Sequence, residues 1–390
     1  MGRAGKLVVT ESAPTLEGVS ASNLSYPMLI VFVAFLCALV VTLLIIHSSA
    51  KHAHLSNDHD FSGPQKFHAK AVPRIGGMGI LAGVVAGIGA LYFVHPELSS
   101  TAFLLVACAM PAFAGGVAED ITKNVSPRRR LVFTAAAAAL AFWLSGAVLD
   151  RTGLAPFDAL LQFSAVSAVV SVFVVVGVTN SVNIIDGFNG LASMCVILML
   201  LATAFVSYQV GDMAIFHASL LCVGAVTGFF VWNFPLGLIF LGDGGAYFLG
   251  FMVSELLIML LHRNPAVSPM FPLVICIYPV VEVVFSIYRK RFIRKMSPGV
   301  PDGVHLHMLV YKRLMRWAVG NRDAKALTHR NSMTSPYLWV LCMCSVIPGV
   351  LFWNNTPVLL GVIALFGASY VMLYWRIVRF RSPRWMVTRR

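Results

Sequence analysis

Eleven apolar stretches, most of them about as long as a bilayer core is thick, constrain this chain more than any other feature. They run approximately over residues 28–48, 75–95, 101–118, 131–149, 160–180, 187–209, 213–232, 245–262, 268–288, 336–353 and 357–376. Crossing a hydrocarbon core takes about 20 mostly apolar residues in a helix. Backbone in lipid must satisfy its own hydrogen bonds, which leaves helices for segments of this length. The stretch at 101–118 carries Pro111, Gly115 and Gly116, residues that membrane helices tolerate where neighbours pack against them. Composition agrees. Of 390 residues 58% are hydrophobic and 12% charged, about half the ~25% charged share of a soluble domain. The sequence predicts an all-α, polytopic transmembrane bundle over residues 26–376, with a polar segment at 1–25 and a basic tail at 377–390. No small-residue cleavage site follows the first apolar stretch, so it reads as a span and not as a removable signal. The seven cysteines lie inside apolar runs without CxxC spacing. That pattern points to packing, not to disulfides or zinc.

Eleven crossings put the termini on opposite sides. With the N-terminus outside, all but four of the 29 Lys and Arg residues fall on the inner side, leaving only Arg3, Lys6, Arg151 and Arg263 outside. Positive loops stay cytoplasmic. The expectation is therefore a multi-pass protein of the cell inner (cytoplasmic) membrane with a cytoplasmic C-terminus. Its formal charge of +13 becomes an inner basic surface suited to anionic headgroups and phosphorylated substrates, and no nucleic-acid partner is expected.

The polar motifs gather on that same side, in loops at about 49–74, 119–130, 180–191, 233–245 and 289–335. They read GPQKFHAKAVPRIGG from Gly63, GGVAEDITKNVSPRRRL from Gly115, NSVNIIDGFNGL from Asn180, NFPLGLIFLGDGG from Asn233 and SPGVPDGVHLHML from Ser297. Asp186 and Asp243 lie at span edges, where an unpaired carboxylate is costly. Taken singly, DGFNG or LGDGG also fits an ordinary Asp-Gly turn. Together with Glu119 and Asp120 they form a set of carboxylates facing a basic surface. Magnesium is held through one or two carboxylates plus substrate phosphates, and Lys, Arg and His side chains neutralise the remaining phosphate charge. Gly242, Gly244 and Gly245 are expected to let backbone approach a ligand closely. His305 and His307, two apart, make a weak zinc pair; solvated histidines and phosphate contacts both fit them. These residues define a magnesium-dependent phosphoryl-transfer or hydrolysis site at the inner leaflet.

The five segments, in this order and spacing from about Gly63 to Leu309, resemble the polyprenyl-phosphate N-acetylhexosamine-1-phosphate transferases, glycosyltransferase family 4. PRIGG at Pro73–Gly77 and HLHM at His305–Met308 differ from the PTMGG-like segment and triple histidine of the phospho-N-acetylmuramoyl-pentapeptide transferases. The O-antigen and polysaccharide-initiating branch is therefore favoured. The resemblance implies a UDP-sugar and undecaprenyl or another polyprenyl phosphate as substrates in membrane lipid, with Mg2+ as cofactor and Mn2+ as a substitute. A homodimer is compatible with the family and undecided by the sequence. By motif, Glu119, Asp120 and Asp186 would be the catalytic acids, with Glu119 a base toward the lipid phosphate, and Asp243 the metal ligand. Phe240 would stack on uracil. Asn233 would share that pocket, and Asn180, Asn183 and Asn189 would shape the nucleotide site along with Asp186. Lys66, Lys70, Arg74, Arg130, His305 and His307 would bind phosphate. The chain departs from the family pattern at Glu119, where Asp is usual, at Lys123, where a third acid would stand, and at Asn189, where Asp is frequent. Lys123 receives no catalytic role.

Three rival readings remain. The peptidoglycan transferase is one and a membrane transporter another, since many spans with internal Gly and Pro suit it. Transporters, however, place polar sites at the bilayer midplane, where only Glu255 lies; Glu282 sits near a cytoplasmic span end. A non-catalytic scaffold would not need carboxylates set among so many basic partners.

Overall fold

The computed structural model describes residues 21–49, 72–297, 303–315 and 324–379; Lys66 and Lys70 lie outside them. The described chain is helical: α1 (Ala21–Ser49), α2 (Gly76–Val94), α3 (Pro96–Thr122), α4 (Pro127–Ser145), α5 (Ala155–Leu161), α6 (Ser164–Ile185), α7 (Leu191–Gln209), α8 (Met213–Asn233), α9 (Gly242–Arg263), α10 (Phe271–Ile275), α11 (Ile277–Tyr288), α12 (Leu306–Leu309), α13 (Ala324–Leu351) and α14 (Thr356–Val378). Single π-helical turns follow α11 and α12.

Nine helices among the described residues are long and apolar enough to cross a bilayer: α1, α2, α3, α6, α7, α8, α9, α13 and α14. The two remaining apolar stretches differ for local reasons. Helix α4 opens on Pro127 and three arginines under a Ser126 N-cap, a start that Pro and Ser favour and that shortens its apolar part. The 268–288 stretch breaks at Cys276 into α10 and α11. Pro279 lacks the N–H that would bond the carbonyl of Ile275, and its ring crowds that carbonyl. Helix α3, by contrast, runs 27 residues from Pro96 to Thr122, so its last turn carries Glu119 and Asp120 beyond the apolar stretch.

Helix α9 is the axis of the bundle. From Gly242 to Leu261 every residue is buried, packed by α3 and α6 with α2 and α7. Helix α1 lies on α2 and α8 through the four-residue row Ile30, Ala34, Ala38 and Thr42, all fully buried. Outward faces are apolar, with Phe93 87% and Trp143 78% exposed. Large exposed apolar patches mark a surface that meets something other than water. With this number of apolar helices the chain is a multi-pass membrane protein.

The two ends of the bundle differ. At one end the turns interlock by polar contacts: Arg151 donates to the carbonyls of Asn264 (2.9 Å) and Val267 (3.1 Å), His262 Nδ1 lies 2.9 Å from Asp150, and Ser268 bonds Thr356. The other end gathers the Arg74, Glu119–Arg130, Asp186–Gly190, Asn233–Asp243 and His305 regions around a cavity.

Candidate active site

The start of α9 organises this cavity. Its N-cap residue, Leu241, has no side-chain oxygen to satisfy the first N–H groups, and helix N-termini need such partners. Asp120 supplies them from α3: Oδ1 accepts from the N–H of Asp243 and Oδ2 from that of Gly244, both at 2.9 Å. Small residues make this approach feasible. A Cβ on Gly116 would sit 2.5 Å from Gly244 N, and one on Gly77 would sit 2.5 Å from Gly245. Gly244 and Gly245 thus admit neighbouring helices and are not part of the cavity lining, where close backbone approach was expected of them. Gly242 does line the cavity, at φ +77°. The 72–77 segment is fixed to the same turn by Phe240 N–H to the Pro73 carbonyl and Gly76 N–H to the Phe240 carbonyl.

The cavity encloses about 330 Å³ and is lined by Arg74, Glu119, Arg130, Asn183, Asp186, Asn189, Asn233, Phe240, Asp243 and His305, among others. Its volume is at the small end of the range for ligand sites. Asp243 is its hub. One carboxylate oxygen is paired with the Arg130 guanidinium, the other accepts from Asn183 Nδ2 at 3.1 Å, and Arg74 stands 3.8 Å away. Asp186 caps α6 from a half-buried position. Burial pushes its carboxyl up to about 7 against the pull of Arg74, and Asp243 adds to the rise. Glu119 lines the cavity with Oε2 engaged by Val125 N–H at 2.7 Å, a bond that closes the turn after α3. Lys123 ends that turn in the left-handed region, φ 54°.

Other expected residues fall behind the wall. Asp120 is buried with both oxygens on the α9 terminus. Asn180 is half-buried one turn below Asn183 and is not part of the lining. Asn233 reaches the cavity, but its amide spans two turns, accepting from Gly190 N–H (2.6 Å) and donating to the Ile239 carbonyl (2.7 Å). His307 is fully buried beneath His305, the two rings stacked at 5.3 Å and 10°.

Glu282 holds that pair, and sequence reasoning gave it no part in the site. Its carboxylate accepts from the N–H groups of Leu306 and His307 (each 3.2 Å), faces His307 Nδ1 at 3.0 Å and accepts from the Tyr370 hydroxyl at 2.7 Å. His305 Nδ1 is 3.6 Å off. The available signal was an acid inside an apolar run. Also missed was the α13 segment Asn331–Ser335, a polar patch at a span start that contacts Asn189.

The donor set fits a magnesium ion. Among the described residues no three His, Cys, Asp or Glu side chains converge on one point, the arrangement a dedicated protein cage would need. Magnesium instead takes one or two carboxylates and completes its shell with water and phosphate. Asp186 and Asp243 line one cavity, and the Asp243 carboxylate raises the cost of ionising Asp186, so a bound cation is favoured there.

A helical membrane protein with carboxylates, guanidinium groups and an aromatic around one terminal cavity carries the groups that bind phosphate esters. Residues 102–261, which include Glu119 through Asp243, match the model of glycosyl transferase family 4. The chain is 28% identical over 312 residues to a probable undecaprenyl-phosphate N-acetylglucosaminyl 1-phosphate transferase of Bacillus subtilis (strain 168), covering 80% of this chain and 82% of that protein. It is 25% identical to the undecaprenyl-phosphate alpha-N-acetylglucosaminyl 1-phosphate transferase of Yersinia pestis, over 81% and 84% of the two chains. With a phospho-N-acetylmuramoyl-pentapeptide-transferase of Streptococcus pneumoniae (strain Hungary19A-6) it shares 30% identity, over 55% of this chain and 67% of the relative. The chain belongs to glycosyl transferase family 4.

Proposed function

We propose that this protein transfers N-acetylglucosamine 1-phosphate from UDP-N-acetylglucosamine to undecaprenyl phosphate, releasing UMP and starting a lipid-linked cell-envelope polysaccharide. The observation that carries the reading is the convergence of Glu119, Asp186 and Asp243 with Arg74, Arg130, His305 and Phe240 on one cavity at the end of the bundle. The names of the relatives that match most of this chain support the same reaction. An oxygen of the lipid phosphate attacks the sugar-linked phosphorus. The bond from that phosphorus to the bridging oxygen breaks, and UMP leaves with the oxygen. Glu119 receives or orients the proton of the attacking phosphate. Arg74, Arg130 and His305 take up phosphate charge, and Phe240 offers a face to the uracil ring. Asp243 and Asp186 would hold magnesium, which supplies charge neutralisation at the phosphates. Lys66 and Lys70 are assigned to the phosphate set by motif alone.

The membrane is the inner (cytoplasmic) one, with the cavity and C-terminus facing the cytoplasm and the N-terminus outside. Basic residues support this orientation: Lys123, Arg128, Arg129 and Arg130 flank the cavity end, while only Arg151 and Arg263 serve the far end among the described residues. The test is direct. Purified protein in liposomes with undecaprenyl phosphate and magnesium is given a panel of UDP-sugars, and lipid products are identified by mass spectrometry. The expected product is undecaprenyl diphosphate N-acetylglucosamine with one UMP per turnover. Product from UDP-N-acetylmuramoyl-pentapeptide alone would move the protein to the peptidoglycan branch. UDP-sugar uptake without lipid product would make it a transporter.

A further inference from the structure

Helix α13 lies outside the 102–261 family match, yet four of its residues bond the cavity wall. Asn331, Ser332, Ser335 and Trp339 fall at i, i+1, i+4 and i+8, a spacing that puts them along one helix face. Every one of them bonds the Asn189–Gly190 turn. Asn189 N–H donates to Asn331 Oδ1 at 2.8 Å and Asn189 Nδ2 to Ser332 Oγ at 3.0 Å. Ser335 Oγ donates to the Asn189 carbonyl at 2.6 Å, and Trp339 Nε1 donates to the Gly190 carbonyl at 3.0 Å. Asn331, Ser332 and Ser335 are all buried, where unmade hydrogen bonds are costly.

The pattern also decides which way the Asn189 amide points. Ser332 Oγ is within donating reach of two carbonyls, Pro235 and Thr328, and has a single proton. With that proton given to a carbonyl, the hydroxyl can only accept from Asn189, which keeps Nδ2 toward α13. Asn189 Oδ1 then stays in the cavity wall as a buried acceptor without a partner. Through Pro235, Ser332 also joins this turn to the Asn233–Asp243 loop that carries Phe240.

We propose that Ser332 and Ser335, with Asn331 and Trp339, are positioning residues that set the affinity of the cavity for the nucleotide substrate by fixing the Asn189–Gly190 turn. The inference rests on the transferase reading, in which Asn189 belongs to the nucleotide side of the cavity. The test is steady-state kinetics of S332A and S335A in liposomes, with UDP-N-acetylglucosamine and undecaprenyl phosphate varied separately. The KM for the nucleotide sugar should rise about tenfold, the factor that ~1.4 kcal/mol represents. The KM for the lipid and kcat should stay within about twofold, a split that general loosening would not give. Ser332→Thr, which keeps the hydroxyl, should restore most of the loss. Calorimetric titration of wild type and variants with UDP reads the same contrast without turnover and covers a variant too weak to assay. Equal UDP affinity in wild type and both variants, or equal rises in both KM values, overturns the proposal. A wild type that binds UDP but forms no lipid product would instead overturn the transfer reading, and the UDP titrations would still decide the role of α13.

Discussion

Replacing Glu282 by Gln isolates what one buried carboxylate does for the cavity. The residue is 1% exposed and four donors converge on it, two at each oxygen: His307 N–H and Nδ1 at Oε1, Leu306 N–H and the Tyr370 hydroxyl at Oε2. Glutamine keeps the shape and turns one oxygen into an NH2. The Tyr370 hydroxyl can rotate to accept and the His307 ring can change tautomer, but neither backbone N–H can reverse. Whichever way the amide sits, one N–H of the α12 start faces a donor. A buried donor left unmade costs ~1–3 kcal/mol, and the surviving bonds lose their ionic partner, which was worth up to about twice a neutral bond. The total is ~3 kcal/mol, concentrated on the turn that carries His305 into the cavity. Glu282→Gln should therefore lower the thermal unfolding midpoint in detergent and reduce kcat/KM for transfer at least about tenfold, the equivalent of ~1.4 kcal/mol at the site. Tyr370→Phe leaves three donors in place and should lose only ~1 kcal/mol. A Glu282→Gln protein with wild-type melting and wild-type turnover would refute the reasoning.

Asp243→Asn should abolish turnover at every magnesium concentration while the protein still melts cooperatively, and wild-type activity surviving in excess EDTA would remove magnesium from the reaction. Phe240→Ala should weaken UDP binding by roughly ten- to a hundredfold, since base–aromatic stacking contributes about 1–3 kcal/mol; unchanged affinity would take the ring out of the nucleotide pocket. Asp120→Asn should destabilise the protein by ~1–2 kcal/mol, as loss of a helix cap does, with denaturant melting as the readout; unaltered stability would mean that the bonds to the α9 terminus contribute nothing.

Much of the cavity was legible because its residues stand in short polar motifs interrupting long apolar runs. Arg74, Glu119, Arg130, Asn183, Asp186, Asn189, Asn233, Phe240, Asp243 and His305 come from five separate segments and line one space. The helical class followed from the same apolar runs. What the motifs could not convey is which side of the wall a residue occupies. Asn180 and His307 stand in the right segments and lie behind the lining, because the helix rotation and packing that decide orientation are set by distant partners such as Glu282. Ser332 and Ser335 look like any small polar residues of a membrane helix until Asn189, over 140 positions away in the chain, is seen opposite them. The break at Cys276 was signalled only by Pro272 and Pro279, and proline also occurs in unbroken form inside α3 and α13.

The neighbouring acids Glu119 and Asp120 show how adjacency in sequence becomes division of labour. Successive side chains on an α-helix point about 100° apart, as 3.6 residues per turn requires. The pair at the last turn of α3 therefore points in two directions. Glu119 lines it, while Asp120 turns inward to the first N–H groups of α9. The inward carboxylate is stabilised by those N–H groups and by the partial positive charge of the helix terminus. Asp243 itself sits on the turn so fixed, and Gly116, one turn before Asp120 on the same helix, leaves the space for the approach. One acid thereby lines the cavity, and the other fixes the turn that carries Asp243.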